Sequence, residues 1–178
     1  MSVRKYYKIA KKILFPLNRS LTGEGTFKTL KIIKKQFPEL KIKKIKSRTK
    51  VFDWKIPDEW NVKEAYIEDK FGKKIVDFKN NNLHLLGYSK KIKKVISKNE
   101  LYKNIFYLKK QSDAIPYVTS YYRRNWGFSI SYNQKKKIDL KYKYNDKFKV
   151  VINSKFNKEG FLRYGELLIK GSDPREIL

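Results

Sequence analysis

Apolar residues in the first segment, Val3 to Leu14, fall at Tyr6, Ile9, Ala10 and Ile13, with lysines on the opposite side. That spacing predicts an amphipathic helix, which Pro16 stops. The polar stretch Asn18-Arg19-Ser20-Leu21-Thr22-Gly23-Glu24-Gly25 follows. A second helical pattern then places Phe27, Leu30, Ile33 and Phe37 on one side and ends at Pro38. The first forty residues therefore read as two helices joined by a specialised loop.

Near Leu40 the pattern changes to alternating, β-branched and aromatic positions. Strands are expected at Leu40 to Ile45 and Val51 to Trp54. Ala65 to Glu68 and Lys73 to Phe78 flank Asp69-Lys70-Phe71-Gly72, which predicts a hairpin turn. Another strand is expected at His84 to Tyr88, entered through Asn80-Asn81-Asn82. Ser97 and Glu100 form a capping-box pattern for a helix from Ser97 to Leu108, with Leu101, Ile105 and Leu108 on its apolar face. Tyr117 to Tyr121, Trp126 to Tyr132, the alternating Phe148, Val150 and Ile152, and Leu162 to Lys170 complete the expected strands. Gly171 to Pro174 reads as a turn, and Arg175 to Leu178 as the start of a further strand, as in a longer protein cut there.

The chain has 178 residues, enough for one domain with an elaboration. Twenty-seven aromatics argue for a packed core despite a net charge of +27. With no cysteine and a single histidine, His84, the sequence excludes a disulfide framework, a zinc finger, a thiolate nucleophile and a two-histidine mechanism. No apolar run approaches the roughly 20 residues of a membrane span, and the N-terminus lacks a signal-peptide core, so a cytoplasmic location is expected. The cations are 37 Lys and only 7 Arg, spread along the whole chain. Nucleic-acid recognition favours the Arg fork, so that partner is not the favoured one.

Candidate chemistry concentrates at turns. Two glycines and two hydroxyls in the Arg19 to Gly25 loop can serve as a helix cap, or can present N–H groups to a ligand in a cleft. His84 reads as a packing residue or a binding one. The run Tyr117-Val118-Thr119-Ser120-Tyr121-Tyr122-Arg123-Arg124-Asn125-Trp126 is aromatic and doubly basic, suited to a core turn or to stacking on bases or sugars. The candidates for lining a substrate site are Arg19, Ser20, Thr22, His84, Tyr121, Tyr122 and Trp126. No pair of carboxylates has an acid–base spacing, so no catalytic residue and no metal ligand is assigned.

Several strings, taken in order, resemble a known family. They include Leu14-Phe15-Pro16-Leu17-Asn18-Arg19-Ser20-Leu21-Thr22-Gly23-Glu24-Gly25, Val51-Phe52-Asp53-Trp54, Ile56-Pro57, Glu59-Trp60 and Asn82-Leu83-His84. Gly87-Tyr88-Ser89, Ile115-Pro116-Tyr117-Val118-Thr119-Ser120-Tyr121-Tyr122, Trp126-Gly127-Phe128 and Gly165-Glu166-Leu167-Leu168-Ile169-Lys170-Gly171 continue the series. The chain resembles the N-terminal part of a prokaryotic zinc aminopeptidase-like family, many of whose members occur among surface-polysaccharide biosynthesis genes.

The resemblance implies an α+β chain. Two N-terminal helices (residues 1–44) and a returning strand (156–178) would belong to an incomplete α/β zinc-exopeptidase-like domain. A mostly antiparallel β-rich insert (45–155) would interrupt it. Zinc would be the full-length family's cofactor and a peptide or amide its substrate, with homo-oligomers among the forms the resemblance allows. The family's metal ligands begin at a Cys-His-Pro-type motif that is absent here, so the chain is expected to bind no zinc and to be inactive alone. Ser129 stands where the family often has cysteine after Trp126-Gly127-Phe128. The alternatives are a basic nucleic-acid- or polyanion-binding module and a non-catalytic scaffold.

Overall fold

A computed structural model of the protein describes residues 3–171. The strand expected at 175–178 and the turn before it, Gly171 apart, lie outside the described residues. The amphipathic N-terminus forms α1 (Val3–Ile9), which runs into a π-helical turn (Ala10–Leu14) closed by the Phe15 N–H on the Ala10 carbonyl. After the polar loop comes α2 (Glu24–Gln36), which ends just before Pro38 as expected. β1 (Lys41–Lys46) follows, and then a small hairpin of β2 (Lys50–Val51) and β3 (Trp54–Lys55).

The main sheet is built from β4 (Glu59–Glu68), β5 (Lys74–Asp77), β6 (Ile92–Ser97) and β9 (Lys147–Asn157). Its order is β5-β4-β9-β6, and every pairing is antiparallel. Between β6 and β9 the chain makes α3 (Lys98–Tyr102), β7 (Ile105–Phe106), β8 (Phe128–Ser129) and α4 (Tyr132–Lys141). β10 (Phe161–Glu166) pairs antiparallel with β1, so the ribbon β1–β10 joins the segments that precede and follow the main sheet.

The alternation of β9 explains the core. Phe148, Val150 and Ile152 bury on one face, opposite Ile96, Ile67 and Ala65 in the neighbouring strands. Leu101 of α3, Ile138 of α4, and Leu85, Tyr88, Phe128 and Ile130 from extended segments pack into the same cluster. The hairpin between β4 and β5 turns where the sequence predicts. Gly72 takes φ 78°, and Asp69 Oδ1 accepts the N–H groups of Phe71 and Lys73, both at 2.9 Å.

Six local expectations are corrected. Tyr117 to Tyr121 is not a strand, since only Thr119 pairs there, in a single bridge to Gly87. The last strand ends at Glu166, short of Lys170. Val51 to Trp54 is not one strand: the chain reverses at Phe52 (φ 51°) and splits it into β2 and β3. His84 ends a 3₁₀ turn (Asn82–His84) and does not open a strand, because Asn81 Oδ1 takes the Leu83 N–H and winds the backbone. The helix from Ser97 stops at Tyr102, since Ile105 and Phe106 leave it to pair with Phe128 and Ser129. The strand expected through Tyr132 ends early, because Ser131 and Gln134 form a reciprocal capping box that starts α4.

Candidate functional site

The loop between α1 and α2 is held from inside. Ser20 Oγ donates to the Thr22 carbonyl, and Thr26 Oγ1 donates to the Ser20 carbonyl. Thr22 is buried, and its Oγ1 accepts the Trp60 N–H at 3.1 Å. The same oxygen lies 2.6 Å from the Tyr88 hydroxyl and 3.4 Å from the Asp58 carbonyl. A carbonyl only accepts, so Thr22 donates to Asp58 and Tyr88 donates to Thr22. Burial pushes the Tyr88 hydroxyl up to about 12, which keeps it a neutral donor.

Both loop glycines are required by close approach. Gly23 has φ 101°, and a Cβ there would stand 2.3 Å from the Trp60 carbonyl oxygen. A Cβ on Gly25 would stand 1.8 Å from the Asn18 carbonyl oxygen. The first turn of α2 is capped by Asn61, whose Oδ1 accepts the Glu24 N–H at 2.8 Å. The helix cap thus comes from Asn61 and not from the loop's own hydroxyls, which bond within the loop and to Asp58, Trp60 and Tyr88.

The loop leans on Asn82, whose Nδ2 donates to the carbonyls of Phe15 (2.7 Å) and Leu17 (3.3 Å). Between loop and sheet lies a groove of about 430 Å³, walled by Ser20, Glu24, Lys28, Asn61, Lys79 and Asn82. A smaller pocket of about 140 Å³ adjoins it, lined by Arg19, Ser20, Trp60, Leu85 and Tyr117 among others. The two share Leu17, Asn18, Ser20, Trp60 and Asn82, so they form one cleft with amides, lysines and one arginine along its length.

The structure brings together three of the seven predicted residues here. Arg19 is exposed at the smaller pocket, Ser20 sits between the two, and Thr22 forms the floor of the groove. Tyr121 and Tyr122 stand elsewhere, on a separate cavity beside Arg48 and Asp58. Trp126 is half-buried and packs against the core cluster. His84 is 5% exposed, and its Nδ1 lies 2.7 Å from the Ser129 carbonyl oxygen, so Nδ1 carries the proton. Burial holds the His84 pKa below its ordinary value, against the Ser129 hydrogen bond and the field of Asp77.

Sequence reasoning missed Asn61, which no motif marks, while Asn82 and Trp60 enter it only within the family strings and not as site residues. An asparagine on a strand is a weak strand former, which was the available signal at Asn61. Chemically the cleft can bind and orient a polar ligand. Among the described residues no group of three or more His, Cys, Asp or Glu stands together to hold a metal ion. The donor set thus does not fit a zinc site, and no step through zinc is derived for these residues. No helix among the described residues is long and apolar enough to cross a membrane.

Residues 59–155 match the family model described as a domain of unknown function (DUF2172). A Clostridium acetobutylicum protein, named for polysaccharide biosynthesis with an aminopeptidase-like domain, is 45% identical over 165 residues. The match takes in 93% of this chain and 36% of that protein, so the chain spans just over a third of its relative's length. A crystal structure from the same organism, described as a candidate peptidase, superposes with a TM-score of 0.82 at 42% identity. It covers 91% of this chain and 36% of that one. The mixed α/β fold with antiparallel sheets is therefore shared with that candidate peptidase, and the nucleic-acid alternative is not favoured. By its matched span, more than half of its length, the chain belongs to the family of the DUF2172 domain.

Proposed function

We propose that this chain is the substrate-side portion of a zinc aminopeptidase-like hydrolase that cleaves a peptide or amide bond. The observation that carries the reading is the 45% identity, across 93% of the chain, to a protein named for an aminopeptidase-like domain. Residues 1–44 and 156–178 would belong to the peptidase-like domain, and 45–155 to its β-rich insert. The pairing of β1 with β10 supports this division, because it brings together the two chain segments that flank the insert.

In a zinc hydrolase the metal activates water for attack on the carbonyl. The residues described here would supply binding instead. Arg19 and Lys28 present charge at the cleft, and Asn61 and Asn82 shape its wall. The experiment is an aminopeptidase assay on a protein of the relative's length, loaded with zinc and then treated with a chelator. Hydrolysis of aminoacyl amides that is lost on chelation is expected, together with a raised KM for Arg19→Ala. No hydrolysis of any amide would overturn the reading in favour of a scaffold. Unchanged activity in both Arg19→Ala and Lys28→Ala would remove these residues from the substrate side.

A further inference from the structure

We propose that a second cavity, remote from the Arg19 loop in sequence, binds an oxyanion, a carboxylate or phosphate, carried on a sugar ring. The cavity lies between the β2–β3 hairpin and the loop after Thr119, and its volume is about 320 Å³. That is the size of a small-molecule site. Its walls include Arg48, Lys55, Asp58, Tyr121, Tyr122 and Arg124. The inference concerns binding alone and does not rest on the hydrolase reading.

Charge is the first argument. Three cations line the cavity against one carboxylate, Asp58. Asp58 is buried and serves both arginines: Arg48 Nε at 2.8 Å on one oxygen, Arg48 Nη2 at 3.4 Å and Arg124 Nη2 at 2.8 Å on the other. The arginine side chains remain 45% and 52% exposed. Glu159 also attracts Arg48, from its own pair with Lys46 at 2.6 Å. An excess of positive charge held in a concave site draws anions.

Preorganisation is the second. Arg48 sits in the left-handed region at φ 72°, and its N–H is fixed on the Ile56 carbonyl at 2.8 Å. The Arg124 guanidinium lies over the Phe156 ring, 3.7 Å from its centroid. Tyr122 donates to the Lys55 carbonyl at 2.7 Å, which ties the two walls together. Two guanidinium forks fixed on one buried carboxylate have their rotamers set before a ligand arrives, so little order is lost on binding. The tyrosine rings beside them offer flat apolar walls for a ring that carries the anion.

The test is chemical-shift titration of the isotope-labelled 178-residue chain at pH 7 with four probes. These are glucuronate, glucose 6-phosphate, inorganic phosphate and glucose. At least one anionic sugar should bind saturably, with shifts at Arg48, Tyr122 and Arg124. Its Kd should be about tenfold or more below that of glucose, as expected for charge-assisted hydrogen bonds. Glucuronate alone would mark a carboxylate site, and glucose 6-phosphate alone a phosphate site. Inorganic phosphate binding more weakly than glucose 6-phosphate would show the ring's share. Arg124→Gln should weaken binding about tenfold, and Arg124→Lys should restore part of it, because lysine keeps the charge without the fork. Lys55→Gln keeps the Asp58 pairs and should weaken binding by a smaller factor, which guards against a folding defect in the arginine variants. Glucose binding as tightly as the anions, shifts confined to the Arg19 cleft, or unchanged binding in both Arg124→Gln and Lys55→Gln would overturn the proposal.

Discussion

The four-stranded sheet and the N-terminal helices both carry amphipathic sequence, yet they use it differently. In the sheet, Ala65, Phe148, Val150 and Ile152 are fully buried. In α1, its π-helical turn and α2, no residue is buried. Val3, Ile13 and Phe15 stay exposed, as do Leu168 and Ile169 after β10. Helical periodicity fixes a helix's apolar side but not whether anything covers it. The sheet therefore holds the buried apolar core, and the helical layer contributes no buried residue to it.

The largest expected effect tests that contrast directly. Trp60 is buried, stacks on Tyr88 at 5.6 Å between ring centroids, and donates Nε1–H to the Ser89 carbonyl. Trp60→Ala should cost about 3–5 kcal/mol in urea unfolding, enough to unfold a marginal domain. Leu30 in α2 is only half-buried against β10, and Leu30→Ala should cost about 1 kcal/mol. Equal losses at the two sites would break the comparison.

The next effect lies where the two regions meet. Thr22→Val keeps the shape but removes the oxygen that accepts from the Trp60 N–H and from Tyr88. Two buried donors would lose their acceptor, at about 1–3 kcal/mol. Thr22→Val should therefore unfold at a lower temperature, and a Tm equal to the wild type's would mean that the loop is only loosely attached. A clear drop in Tm would show that this hydroxyl joins loop to sheet.

What the sequence makes legible follows the same division. The hairpin at Asp69 to Gly72, both N-terminal helices and the alternation of β9 are local signals, and each stands where it was expected. α4 escapes because only Ile138 is buried on it while Leu140 is 90% exposed, so the lysine-rich segment has no apolar periodicity to read. Its legible mark is the Ser131 and Gln134 capping box. The sites are less legible still. Asp58 meets arginines 10 and 66 residues away, and Thr22 meets Tyr88 66 residues away. No spacing rule spans such distances, so the candidate residues were scattered over two cavities and the core.

A smaller effect separates the sheet from the β1–β10 ribbon. Burial alone would raise the Glu59 pKa, but the Phe161 N–H, Arg163 and Asn61 hold its carboxylate below the ordinary range. A depressed carboxylate adds stability above its unfolded pKa and loses it as pH falls through the folded value. Glu59→Gln should cost about 1.5 kcal/mol at pH 7, chiefly through the lost charge on Arg163 at 2.9 Å. It should also flatten the acid limb of the stability curve below about pH 4.5. A wild-type and variant curve that stay parallel down to acid pH would assign that limb to other carboxylates.

The smallest effect concerns His84, inside the well-buried region. Burial lowers its folded pKa, so the folded state binds fewer protons than the unfolded chain in the window below the ordinary histidine value. Its contribution is complete above about pH 6.5 and is lost as pH falls from there toward the folded value. The slope cannot exceed about 1.4 kcal/mol per pH unit for one group. Gln at this position can still donate to the Ser129 carbonyl but cannot titrate. Urea midpoints measured at pH 8 and pH 5.5 should fall further for wild type than for His84→Gln. Equal falls would mean that His84 takes up its proton while seated in the core. The sheet region would then open to water more readily than its burial implies, and the contrast with the helical layer would narrow.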